Sequence, residues 1–291
     1  MRTVQLLLLL ILTWAIIAPG CMTFRKTDAV MQERFAKKGV VLQTRTTTID
    51  GHHLHYAQTG ADSLPTLIFV HGTPGSWDAF AGYLEDSLLR KQYRMISIDR
   101  PGFGYSDFGK AYPMQAQSEI ISPLLKTWQN GQPAYLVGHS MGGPMVLKLA
   151  ADNPGLYTGI VVISGSIDPA EEKAEKWRPW LFKTPLNYLV PGAFRPSNEE
   201  QWYLKTDLQQ LKQQLPDIRI PVYFIHGEQD GWVPPGNVDY GKSQLKNAPA
   251  TGVLLFPGAN HFIPWTRFNE IRNVLVSLPL ADKAAHSLSS Y

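Results

Sequence analysis

Ala134-Tyr135-Leu136-Val137-Gly138-His139-Ser140-Met141-Gly142-Gly143-Pro144-Met145-Val146-Leu147 is the stretch on which the reading of the fold turns. Ala134–Val137 is a short apolar run of strand character, and Met141–Asp152 reads as a helix. A chain that turns abruptly from strand to helix forces the residue at the corner into a strained conformation, with its side chain exposed at the edge of the sheet. Bulky side chains two places to either side would collide, so Gly138 and Gly142 flank Ser140. Gly-x-Ser-x-Gly set between a strand and a helix is a nucleophile elbow, and it nominates Ser140 as the attacking group.

Working outward, short apolar segments alternate with helical ones. Val40–Ile49 and His52–Gln58 read as two strands around the turn Asp50-Gly51, a strong hairpin signal. Further strands are expected at Thr66–Val70, Arg94–Ile98, Gly159–Ile163, Val222–Ile225 and Gly252–Phe256. Helices are expected at Trp77–Leu89, Gln115–Trp128, Glu199–Gln214, Pro235–Leu245 and Thr266–Leu278. This alternation predicts an α/β fold, with a mostly parallel sheet covered by helices on both faces and an antiparallel hairpin at one edge. Ser166 to Ser197, rich in aromatic residues and proline, reads as a small cap over the site.

In such sheets ligands bind beyond the carboxyl ends of the strands, so the residues after each strand matter most. A serine hydroxyl needs an adjacent base, itself oriented by a third group. Of the eight histidines, His52, His53 and His55 lie in the early hairpin, His139 beside the serine would point away from it, and His286 is in the tail. His71 and His226 each follow a strand and precede a glycine, where structural hydrogen bonding is expected. His261 follows the last strand, as a general base should. Asp230, in the loop after the penultimate strand, is the favoured acid. Glu228 is an alternative two residues nearer the strand, and Asp217 lies before the strand, at the wrong edge of the sheet.

The motifs His71-Gly72, Asp99-x-x-Gly102-x-Gly104-x-Ser106, the elbow, His226-Gly227-x-x-Asp230 and Asn260-His261 occur in that order. From Val40 to Leu278 the chain resembles the α/β-hydrolase fold family, serine esterases and lipases among them. The resemblance implies an oxyanion hole made by the backbone N–H groups of Thr73 and Met141, and a structural role for Asp99–Ser106. Relatives that open epoxides or remove halogens carry aspartate at the elbow. Serine there predicts acyl transfer to water, with hydrolysis of an ester-like small molecule carrying a small or medium apolar acyl group as the leading reading. A carbon–carbon bond hydrolase, a cofactor-free haloperoxidase-like enzyme and a non-catalytic envelope lipoprotein are the alternatives. No cofactor and no metal are expected.

The first twenty residues stand apart. Arg2 supplies a positive start, an apolar run follows, and Ala18-Pro19-Gly20 precedes Cys21, the single cysteine in 291 residues. This reads as a secretory signal with a cut before Cys21, and it resembles a bacterial lipoprotein leader, which implies lipidation of Cys21 and a membrane anchor in the cell envelope. Export to a secreted or periplasmic soluble form is the alternative. Residues 21–39 read as a solvated tether, and 40–291 as the hydrolase domain. One cysteine excludes an internal disulfide and a cysteine-rich metal site. A formal net charge of +3 without dense basic blocks gives no nucleic-acid surface.

Overall fold

The computed structural model describes residues 2–173 and 175–280; His286 lies outside them. One eight-stranded sheet organises the chain: β1 (Gln43–Ile49), β2 (His52–Thr59), β3 (Thr66–Val70), β4 (Arg94–Ile98), β5 (Ala134–His139), β6 (Gly159–Ile163), β7 (Val222–Gly227) and β8 (Thr251–Phe256). Their order across the sheet is β1-β2-β4-β3-β5-β6-β7-β8. The hairpin pairs antiparallel with itself and with β4, and every other neighbour is parallel. Its turn uses Asp50 at φ +50° and Gly51 at φ +84°, the left-handed pair that a two-residue hairpin with the sheet's own twist demands.

The central strands β3 to β6 are buried throughout, and their alternate side chains feed two separate cores. Ile68, Ile96, Leu136 and Val162 face one side, where they meet the helices Met114–Thr127, Gly142–Asp152 and Phe194–Gln214. Leu67, Phe69, Val137 and Ile163 face the other, with the helix Phe268–Val276. This two-sided burial is what continuous apolar strands require.

Three expectations are adjusted. The helix read over Trp77–Leu89 is a 3-10 turn (Trp77–Phe80) followed by helices Ala81–Glu85 and Ser87–Gln92. The chain breaks at Asp86, whose carboxylate caps the N–H groups of Leu88 (2.9 Å) and Leu89 (3.0 Å). The expected tether is not a solvated linker. Residues Asp28–Ala36 form a helix capped by Thr27, and its Met31 and Phe35 are wholly buried in the second core. Burial of a side chain such as Phe35 is worth about 1.5–3 kcal/mol, enough to fix the segment to the domain. Finally, the expected cap boundary at Ser197 falls inside the continuous helix Phe194–Gln214, whose later residues Leu204, Leu208 and Leu211 belong to the core. The excursion between β6 and β7 also carries a short helix, Trp177–Phe182, and a 3-10 turn, Pro185–Leu189.

At the amino end, Arg2–Ile17 is helical. Thr3–Gly20, with mean hydropathy 2.0, is long and apolar enough to cross a membrane; a signal sequence has the same character.

Candidate active site

Ser140 follows β5 and precedes the helix Gly142–Asp152, with φ at +55°. A non-glycine residue held there costs about 1–3 kcal/mol. Ser140 N–H donates to Ile163 O (3.0 Å) and Ser140 O accepts from Gly143 N (2.8 Å), which holds the corner in place. The flanking glycines are obligatory. A Cβ on Gly138 would lie 2.1 Å from Gly142 O, and one on Gly142 would lie 2.1 Å from Val70 O. Gly72 leaves room for the serine itself, since a Cβ there would come within 2.9 Å of Ser140 Cβ.

His261 comes from the loop after β8, and its Nδ1 donates to Asp230 Oδ2 at 2.7 Å in a buried contact. That bond leaves Nε2 as the free acceptor. The second oxygen of Asp230 accepts from the backbone N–H groups of Val233 (2.8 Å) and Trp232 (2.9 Å). Burial alone would raise the Asp230 carboxyl, but the bonds from His261, Val233 and Trp232 outweigh it and hold the group below the usual range. Glu228 is exposed, with its N–H on Phe256 O, and Asp217 is exposed before β7. Of the three acids, the fold brings Asp230 to the histidine.

Three of the other histidines, His139, His226 and His71, hydrogen-bond within the loops around this site. His139 Nε2 donates to the His261 carbonyl (3.1 Å), so the residue before the serine braces the loop that carries His261. Burial, with His261 beside it, lowers the His139 pKa to about 3, so the ring stays neutral. His226 Nε2 donates to Val233 O (2.9 Å). His71 Nδ1 donates to its neighbour Gly72 O (2.6 Å) while its Nε2 accepts from Arg100 N (3.0 Å). His52 lies far away in the hairpin, paired with Asp107 at 2.6 Å.

Arg100 is a residue that the motif reading passed over. Its Nε donates to His71 O (3.0 Å) and its Nη2 to Gly72 O (3.1 Å), so it fixes the backbone leading into Thr73. Its other contacts reach Gln117 and, on the helix Phe194–Gln214, Glu200. An arginine directly after the Asp99 motif was the available signal, but its partner Glu200 lies a hundred residues away. Asp99 is structural, as expected. Its oxygens accept from Trp77 N (2.7 Å) and Tyr105 N (2.8 Å), and burial pushes its carboxyl up to about 8.

Ser140 sits where two compartments meet. One, of about 540 Å³, lies under the cap and is lined by Met141, Trp177, Leu181 and Leu204. The other, of about 370 Å³, is lined by Phe24, Ala79, Phe262 and Trp265. Thr73, Ser140, Trp232 and His261 belong to both. Met141 precedes the first turn of its helix, where backbone N–H groups have no intrahelical acceptor. Among the described residues, no group of three or more His, Cys, Asp or Glu is placed to hold a metal.

Known proteins share this architecture. The profile of the alpha/beta hydrolase fold matches residues 65–197. An uncharacterised hydrolase of Bacillus subtilis is 27% identical over 273 residues, spanning 81% of this chain and 95% of the relative. The serine hydrolase BPHL of Mus musculus is 26% identical over 253 residues, spanning 79% of this chain and 84% of its own. Among solved structures, a bacterial membrane phospholipase A superposes with a TM-score of 0.61 at 17% identity, covering 96% of this chain and 100% of that one. With the sheet order, the strained serine and these likenesses in agreement, the chain has the α/β-hydrolase fold and is a hydrolase.

Proposed function

We propose that the protein is a serine carboxylic-ester hydrolase acting on small or medium apolar acyl groups, exported and held on the cell envelope through Cys21. The observation that carries the reading is the meeting of three features at one point: a strained, accessible Ser140, a histidine aligned by a buried carboxylate, and compartments on both sides. An ester divides naturally between two such compartments, the acyl chain in one and the alcohol in the other. Their apolar walls suit an uncharged chain; Arg178, the cation on the larger compartment, is engaged by Glu175 and Asn198.

In the reaction, Ser140 Oγ attacks the ester carbonyl carbon while its proton passes to His261 Nε2. Asp230 holds the imidazole in that tautomer and stabilises the imidazolium. The N–H groups of Thr73 and Met141 receive the oxyanion, each worth about 3–4 kcal/mol in the transition state. The protonated His261 then donates to the departing alkoxide, leaving an acyl-serine. Water, deprotonated by His261, attacks the acyl-serine and releases the carboxylic acid and the serine hydroxyl.

Labelling by a fluorophosphonate probe, followed by a graded p-nitrophenyl ester series, tests this. The reading expects a covalent adduct on Ser140 and a rate that peaks at short or medium chains. A protein that ignores the probe and the esters sinks it.

A further inference from the structure

The aromatic residues around the cleft are not covered by the protein. Phe24, Trp177, Phe194, Trp232, Phe262 and Trp265 line its two compartments, yet they remain between 37% (Phe194) and 71% (Trp232) exposed. Residues that only walled a substrate pocket would face inward and be mostly hidden. Nearby, the helix Trp177–Phe182 and the turn Pro185–Leu189 contain no buried residue at all, despite a largely apolar sequence. Trp180 at 68% and Tyr188 at 63% project from them into solvent. An apolar face of this kind calls for an apolar partner.

The chain itself says which partner. The apolar amino-terminal helix reaches this face, with Trp14 Nε1 donating to Leu189 O at 2.9 Å. The residues after it are fastened to the cleft. Met22 O accepts from Ala193 N (3.2 Å), the Phe24 ring packs edge-on against Phe194 at 5.3 Å, and Phe24 O accepts from Ser76 Oγ (2.8 Å). Arg25 reaches Gly104 O and lies over the Tyr105 ring at 4.4 Å. Cys21 precedes Phe24 by three residues, so no more than about 11 Å of extended chain separates it from the wall of the site. An anchor at this point, a lipid on Cys21 or the helix itself, would meet a membrane beside the mouth of the cleft.

Charge fits the same partner. Lys173, Lys176 and Lys183 stand exposed around the apolar cap against one exposed carboxylate, Glu171, while Glu172 and Glu175 are engaged by Ser166 and Arg178. Exposed tryptophan and tyrosine ringed by lysine is the composition of a surface that lies in the headgroup layer, where aromatic rings settle and ammonium groups meet anionic lipid.

We infer that the aromatic rim is a membrane-docking face, on which the protein lies with its cleft opening onto the bilayer and from which it takes an acyl ester directly out of the lipid. The identity of the substrate rests on the ester-hydrolase reading; the docking does not.

Two measurements on the full chain, reconstituted into phosphatidylcholine and phosphatidylglycerol vesicles, test it. In the first, some acyl chains carry bromine and tryptophan emission is read. Trp180→Phe removes emission that bromine quenches. Trp128→Phe is the control, because Trp128 is buried at the opposite end of the strands, where its carbonyl meets Arg94 at the start of β4. Unquenched Trp180, as a protein partner on this face would also give, overturns the docking. In the second, Trp180→Ser/Tyr188→Ser is compared with the parent on one ester carried in vesicles and another dissolved in water. The vesicle-to-water ratio of rates falls on the order of tenfold, equivalent to about 1.4 kcal/mol; an unchanged ratio counts against delivery from the bilayer. If the parent turns over neither ester while Trp180 is quenched, docking stands and the ester-hydrolase reading falls. If both esters are turned over and Trp180 is unquenched, the reverse holds.

Discussion

The Arg100 guanidinium meets Glu200 in a two-pronged contact, Nη1 to Oε2 at 2.8 Å and Nη2 to Oε1 at 3.0 Å, with both side chains sealed from solvent. This pair joins the loop before Thr73 to the helix that begins in the cap. Breaking it by removing one member leaves a buried charge without its partner, at a cost of about 3–5 kcal/mol. Arg100→Met and Glu200→Gln are each expected to lower the urea midpoint sharply. Arg100→Met/Glu200→Met should be milder than either, because no orphan charge remains. If the double replacement is as damaging as the sum of the singles, the pair is not a coupled unit.

The Ser140, His261 and Asp230 side chains are expected to act together. Ser140→Ala, His261→Ala and Asp230→Asn should each reduce kcat on the order of 10⁴-fold or more while far-ultraviolet circular dichroism stays native. Combining two should add little, since a broken relay has little left to lose. Glu228→Gln should cost far less than Asp230→Asn, in keeping with its exposed position. Near-parental turnover by Ser140→Ala would end the serine mechanism.

Acid should weaken the protein through its buried histidines. His139 falls to about 3, and His71 and His226 are also lowered, by burial first in every case. The unfolded chain therefore binds protons that the folded one refuses, so stability declines as pH falls from the ordinary histidine value of about 6.5 towards 3. Thermal melts at pH 7.5, 6 and 5 should show a falling Tm, and His139→Gln should flatten the slope. A Tm that holds steady across that range would refute the assignment.

The mature amino terminus is expected to be an acylated Cys21. Mass spectrometry of the terminal peptide from membrane fractions should show the lipid mass on that cysteine, and Cys21→Ser should abolish it. A terminal peptide that begins elsewhere, or an unmodified Cys21, would leave the uncut helix or simple export in its place.

Replacing Phe35 by Ala should lower stability by about 3–5 kcal/mol, since Phe35 is wholly buried although it precedes the first strand. Denaturant unfolding measures this. A loss under 1 kcal/mol would return residues 28–36 to the status of a linker.

The legible part of this protein was local in the chain. Gly138, Ser140 and Gly142 announce a strand-to-helix corner because only glycine fits beside backbone carbonyls 2.1 Å from where a Cβ would sit. Asp50-Gly51 announces a hairpin because both residues must be left-handed, and β3, β4 and β6 begin and end where their apolar runs do. His261 and Asp230 could be nominated because this architecture gathers the residues after parallel strands at one edge. What had no local signature was set by packing at a distance. The choice of Asp230 over Glu228 depends on which carboxylate turns inward to meet His261 Nδ1. The bracing role of His139 requires the His261 carbonyl, 122 residues on, and Arg100 requires Glu200. Residues 22–36 look polar and idle in sequence, yet they close one wall of the cleft through Phe24 and fill the core through Phe35. Backbone sterics act between neighbours and leave their mark on composition, whereas burial and pairing act between segments and exist only once the chain has folded.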